Sequence, residues 1–462
     1  MIPGTALPFC FALARAAAGG YLRPMLDRAI RLPHATALVA GTIIGASIFV
    51  QPSEITARMP SLAGTALVWL AAGALTYFGA LVCAELASAL PRTGGVYVYL
   101  REAFSPALGF LWGWAMFWTM HSGIIAAIAV IVARYTGYFV PLTDASTKAV
   151  AIAAILLLSA VNYVGVRQGS RLQTAFTAGK IAAIFVMIVA GFVFGSPASG
   201  DPGGTPAAAG SVGDFLLAVS AGLFAFGGWH MVTYNAEETV DPERTIPRAL
   251  TLGILIVTVC YLALNVVYFY LLPVATVATS DRVAADAADA VLGFGGGAAM
   301  SGLVVFSSFG ALSGIVLAGP RVYYAMARDG LIFRWAGETH PRFHTPHRAI
   351  VLQAIWSSVL VATGTYRVLF TRVVYTEWVF FGLLAIGLVI LRRRRRPRQY
   401  SVWGYPAVPV VFAIASAAIV LNHLVDRPVE SATGLAFVLV GLPVYYLWTS
   451  RRSSLESPAE DR

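Results

Sequence analysis

This sequence predicts an all-α membrane protein of about twelve transmembrane helices, on three observations. Hydrophobic residues make up 58% of the 462 and charged residues only 12%, against about 25% charged in a soluble domain. The mean hydropathy is +0.74, and the apolar residues gather into runs of the roughly 20 residues a bilayer crossing needs. Two of those runs carry glycine interruptions in matching positions, GTIIGAS in the first and FAFGGWH in the sixth.

The formal net charge is +10. The arginines sit between apolar runs, so the charge reads as topology and not as nucleic-acid binding. Cys10, Cys83 and Cys260 lie far apart and suggest neither a metal site nor a disulfide framework. The sequence has no nucleotide loop, zinc motif or nucleophile elbow. No cofactor is expected, and no enzyme.

Residues 1–31 read as a cytoplasmic N-terminal segment. Met1 to Gly20 lacks a basic start, is interrupted by Arg15 and makes a poor signal peptide. Met25 opens a basic lead and is an alternative start. A membrane helix bundle is expected over 32–449, then a cytoplasmic tail over 450–462. Helices 1 to 5 fall at about 34–56, 62–89, 106–139, 148–166 and 172–195. Helices 6 to 10 fall at about 213–238, 247–273, 296–326, 348–365 and 374–391, and helices 11 and 12 at about 405–422 and 432–449. With the N-terminus inside, 23 basic residues fall on the inner side and 7 on the outer, which places both ends in the cytoplasm. Arg392 to Arg396 contribute heavily and read as a topology anchor at anionic lipid.

The stretch Gly195 to Gly213 is rich in Gly, Pro and Ala and reads as a flexible linker. It divides ten helices into two sets of five, about 34–195 and 213–391, with two extra helices over about 405–449. Five is odd, so the second set enters the membrane from the opposite side. Each set opens with its glycine-interrupted helix. In hydrocarbon a broken helix is tolerated only where it is buried in protein or lines a cavity. Its stumps expose N–H groups for a carboxylate and C=O groups for a cation. A small-residue packing seam is the other reading of Gly41, Gly45, Ala46 and Ser47; the match between halves favours a central site.

Ionisable residues at membrane depth are the next candidates. Lys180, in TAFTAGKIAAIFV of helix 5, is read as an ammonium set against carbonyls freed by the first break, able to load and unload a proton; snorkelling to the interface is the alternative. Glu237 and Glu238 end helix 6 and are expected to pair with arginines of the inner loops, as a gate latch or as plain structure. Glu85 and Glu377 are placed near helix ends, at the interface. His121 and His230 either bind substrate or hydrogen-bond a neighbouring carbonyl, and His230, directly after the second break, is favoured. Phe224, Phe226 and Trp229 are either core packing or the lid or side-chain pocket of a site, and their place beside a break favours the second. With no carboxylate expected in that pocket, a ligand with a neutral, apolar or aromatic side chain is predicted; the resemblance described below makes it an amino acid.

Four motifs occur in order: GTIIGASIFVQPSEI, AELASALPRTGGVYVYLREAFSP, FAFGGWHMVTYNAEETVDPERTIPRAL and GPRVYYAMARDGLIF. On these, the chain from about Leu32 to Arg398 resembles the amino acid–polyamine–organocation (APC) superfamily, close to bacterial amino acid permeases and L-type amino acid transporters. The resemblance implies a LeuT-like fold of two inverted five-helix repeats plus two helices. It also implies transport of an α-amino acid without chemical change. By position, N–H groups at Ala46, Ser47 and Ile48 would hold the substrate carboxylate, with Gly45 bordering them. Carbonyls near Thr42, Ile43 and Phe224 would hold its ammonium, and Phe224 would double as a gate. Gly227, Gly228, Trp229 and His230 would border the side-chain pocket. Lys180 matches a helix 5 lysine that stands where sodium-coupled relatives hold sodium, with Ser307 and Ser308 on the same side.

The chain departs from the family in places. Ser47 replaces the last glycine before I-F of the helix 1 motif, and His230 stands where some relatives carry asparagine. The outer loop at about Tyr135 to Ser146 has no cysteine, so a disulfide-linked heavy chain is not expected. The reading is a sodium-independent amino acid transporter of the cytoplasmic membrane, proton-coupled or an exchanger, whose partners are its substrate and the lipid. A non-transporting amino acid sensor, or a transporter of cationic amino acids or polyamines, is the alternative.

Overall fold

The computed structural model describes residues 30–92, 94–164, 169–198, 211–338, 340–343, 345–394 and 398–456. The N-terminal segment before Ile30, most of the Gly195–Gly213 linker and residues 457–462 lie outside them. The first helix, α1, runs Leu32–Ile43 and resumes after a break as Gln51–Thr56. It is followed by α2 (Leu62–Ala89), α3 (Pro106–Thr136), α4 (Asp144–Val164) and α5 (Gly169–Phe194). The sixth, α6, is Val212–Ala225 and resumes as Trp229–Glu238. Then come α7 (Pro242–Leu271), α8 (Phe294–Arg328), α9 (His347–Thr363), α10 (Tyr366–Arg393), α11 (Ala407–Asp426) and α12 (Ser431–Ser450). Among the described residues, 9 helices are long and apolar enough to cross a membrane, or 10 with α6, whose two parts bend by 41°. The 12 residues of Leu32–Ile43 and the 17 of α9 are shorter than that.

Local sequence explains where several helices start. Ser61 and Ser105 cap α2 and α3 by accepting from Gly64 N–H (3.0 Å) and Leu108 N–H (3.3 Å). Ser211 and Asp214 form a reciprocal capping box on α6. Proline at the first turn opens Leu32–Ile43, α3 and α7.

Lipid gives helices no hydrophobic reason to associate, so packing relies on small residues that let backbones approach. A Cβ on Gly253 of α7 would meet Val39 of α1 at 2.5 Å, and one on Gly222 of α6 would meet Ala72 of α2 at 2.9 Å. These two seams are counterparts under exchange of the two five-helix sets. The other pairings exchange in the same way: α1 packs on α5 as α6 packs on α10, and α4 on α8 as α9 on α3. The self-corresponding pairs α2–α7 and α3–α8 are also in contact. Trp69 of α2 and Tyr261 of α7 meet edge to face at 5.3 Å, with Phe226 against both.

Glu85 lies near the end of α2, as expected, but is buried there. It is 1% exposed, because Arg392 grips both its oxygens at 2.6 and 2.5 Å, Arg398 lies at 3.0 Å and Val402 N–H donates at 2.7 Å. Arg392 therefore ties the end of α10 to the end of α2. At the same end Tyr97 donates to Asp329 at 2.5 Å and Arg101 pairs with that carboxylate. Burial and the neighbouring Asp329 push the Tyr97 hydroxyl well above the usual phenol range, which keeps it a donor.

Candidate functional site

At the first break the chain leaves the helix at Ile44 (φ −70°, ψ 72°), and Gly45 N–H turns back to the Ile43 carbonyl at 2.6 Å. A single 3-10 turn over Ser47–Phe49 follows, with Phe49 and Val50 donating to the carbonyls of Ala46 and Ser47, each at 3.1 Å. The N–H groups of Ala46, Ser47 and Ile48 donate to no acceptor among the described residues, and the Thr42 carbonyl accepts from no donor there. The break thus presents three successive donors and a free acceptor.

The second break follows Ala225. Gly227 N–H bonds the Phe224 carbonyl at 3.0 Å, and Gly228 has φ +90°, a left-handed conformation that favours glycine. A Cβ there would also press on the Thr42 carbonyl and Cβ, both at 3.4 Å. The two breaks therefore touch at Thr42 and Gly228. Tyr261 from α7 joins them, its hydroxyl 3.0 Å from the Ile43 carbonyl and 3.0 Å from the Ala225 carbonyl. Both carbonyls are at stumps of the broken helices, and one phenol hydrogen is shared between them. Sequence reasoning missed Tyr261; the only signal was a tyrosine inside an apolar run.

Lys180 is 4% exposed and its ammonium donates to the Ile44 carbonyl at 3.2 Å. It thus holds α5 to the first break and does not snorkel. Ser308 donates to the Val304 carbonyl of its own helix at 2.6 Å, and the buried Ser307 hydroxyl has no partner among the described residues. No described hydrogen bond joins Lys180 to either serine.

Between the breaks lies a cavity of about 20 Å³. That is room for about one water, so an amino acid enters only when the surrounding helices part. Thr42, Ile43, Gly45 and Ser47 line it from the first break, and Phe224, Gly227, Gly228 and Met231 from the second. The remaining wall is Ile124 and Ile128 of α3, Ile315 of α8, and Val373 and Glu377 of α10. Phe224 covers one end, packed on Phe370 at 5.5 Å and Tyr366 at 6.4 Å. Gln51 donates to the Tyr366 hydroxyl at 3.1 Å, and Arg134 lies 4.8 Å over that ring.

Several sequence expectations are displaced. Glu377 is not interfacial: it is 6% exposed and lines the cavity. The expected helix start at about 374 put it near an end, whereas α10 begins at Tyr366, so Glu377 sits about three turns inside it. Trp229 and His230 do not line the cavity. His230 is 1% exposed among Trp112, Trp229, Tyr234 and Phe381, at ring distances of 5.2–5.9 Å. Phe226 packs on Trp69 and Tyr261, away from it. The backbone at Ala46 and Ile48 adjoins the cavity through Ser47, without their side chains lining it. His121 bonds the Ile315 carbonyl at 2.7 Å. Glu238 faces Arg321 of α8 at 3.7 Å and not a loop arginine; the Glu237 side chain lies outside the described residues.

A family model described as amino acid permease matches residues 30–447. The human b(0,+)-type amino acid transporter 1 is 31% identical over 431 residues, 92% of this chain and 88% of its own. The serine/threonine exchanger SteT of Bacillus subtilis is 32% identical over 436 residues, 93% of this chain and 98% of its own. The mouse Asc-type amino acid transporter 1 is 30% identical over 445 residues, 93% and 83% of the two chains. With helices that suit a bilayer and a match over most of its length, the chain is a multi-pass membrane protein that belongs to the amino acid permease family, whose members are transporters and not enzymes.

Proposed function

We propose that this protein carries α-amino acids across the cytoplasmic membrane by alternating access, without sodium. The observation that carries the reading is the first break, with its three unpartnered N–H groups at Ala46 to Ile48 beside the free Thr42 carbonyl. Such a constellation suits a carboxylate and an ammonium one carbon apart. Lys180 on the Ile44 carbonyl sets a positive charge beside the break, in place of a bound cation. Exchange is favoured over net uptake because a relative matched over 98% of its length is a serine/threonine exchanger. Twelve crossings in two inverted sets of five plus two, with both ends cytoplasmic, complete the proposal. The exchanged helix pairings and the distribution of basic residues support it. No disulfide-linked heavy chain is part of this reading.

The expectation of an apolar or aromatic substrate rested on a pocket without a carboxylate, and Glu377 in the wall removes that ground. Neutral amino acids remain in the reading, since the head-group contacts do not depend on the side chain. The test is uptake of each of the twenty amino acids into proteoliposomes preloaded with serine, lysine or no amino acid. Uptake that needs an internal amino acid supports exchange. Ligand binding with no flux under any condition would mean a sensor.

A further inference from the structure

We propose that Glu377 sets the side-chain specificity of the cavity, and that the site takes amino acids with a basic side chain through an ion pair to this carboxylate. The proposal rests on the reading above, that the space between the breaks is the amino acid site. Glu377 lines that space, is nearly buried, and makes no hydrogen bond or ion pair with any described residue. Tyr234 is within electrostatic reach, but its hydroxyl turns to the Met116 sulfur at 3.9 Å. Two cations within the helices are engaged elsewhere: Lys180 donates to the Ile44 carbonyl and Arg321 faces Glu238.

A carboxylate withdrawn from water without a counter-charge is unfavourable, and a cation brought to it relieves that penalty. Intramembrane carboxylates of this kind face substrate or ion paths. The rest of the wall suits the stem of such a side chain, because Ile124, Ile128, Met231, Ile315 and Val373 offer methylene-compatible surface. The α-ammonium does not need Glu377, since the free Thr42 carbonyl already serves it at the break. Glu377 comes from α10, which carries neither break, and in this proposal it meets the side-chain end of the substrate once the helices part.

Lysine and norleucine separate the effect, because they differ in the terminal ammonium alone. Competition for uptake into proteoliposomes, by wild type and by Glu377→Gln, gives the lysine-to-norleucine affinity ratio. The expected wild-type ratio favours lysine at least tenfold, and Glu377→Gln lowers the ratio at least tenfold. A wild type that takes norleucine and refuses lysine overturns the proposal while leaving the transporter reading intact. So does a variant that loses both substrates in equal measure, which would put Glu377 on the α-ammonium or in the fold. If the variant stalls in its cycle, the shift in melting temperature in detergent with each amino acid yields the same ratio. A wild type that moves no amino acid at all overturns both readings together.

Discussion

Gly45 shows how much one residue decides. Its Cβ position is open, with the nearest atoms at 3.8–4.0 Å, and the residue borders a cavity of about 20 Å³. Gly45→Ala should therefore insert and transport, whereas Gly45→Leu should fill the cavity and cut uptake at least tenfold while the protein still folds. Normal transport by the leucine variant, measured in proteoliposomes, would make the break a packing seam. Tyr261 acts differently, through carbonyls that lipid cannot satisfy. Tyr261→Phe should lower stability by about 1–2 kcal/mol, read as a reduced melting temperature in detergent, and should reduce uptake because the stumps lose their shared donor. The glycine interruptions and Lys180 were legible in the sequence because each breaks a local rule of membrane helices. Glu377 and Tyr261 were not, because which wall a side chain faces depends on helix ends and rotation. His230 was misjudged for the opposite reason: nearness in sequence to a break does not aim a ring into the cavity.

At the scale of elements, the helices were legible because hydropathy needs no tertiary information. Their ends were less so: α10 starts at Tyr366, capped by Thr365, several residues before the apolar run suggests. The arginine run that begins at the end of α10 reads as a surface anchor, yet Arg392 closes on Glu85 of α2. That pair holds α2 to α10 at one end of the bundle. Glu85→Ala should cost about 3 kcal/mol, the low end for a broken buried pair because the arginines keep some exposure. Detergent melting measures it; a variant as stable as wild type would show that the pair contributes no more than a surface one.

For the whole molecule, the symmetry of the pairings puts the two breaks back to back, joined by Tyr261 and held by Lys180. In the alternating access proposed, the bundle opens to either side of this fixed centre. Its proposed orientation places Asp144, at the start of α4, outside and Glu338, after α8, inside; both are exposed. In intact cells an impermeant thiol reagent should label Asp144→Cys and spare Glu338→Cys, and the reverse would invert the topology.

The central claim is that the ammonium of Lys180 stands in for a coupling cation at the first break. Uptake into sodium-free liposomes, compared between wild type and Lys180→Ala, tests it most directly. Undiminished wild-type uptake without sodium, with at least a tenfold loss in a folded alanine variant, is the predicted result. Wild-type uptake that requires sodium, or an alanine variant that transports as well as wild type, would contradict it.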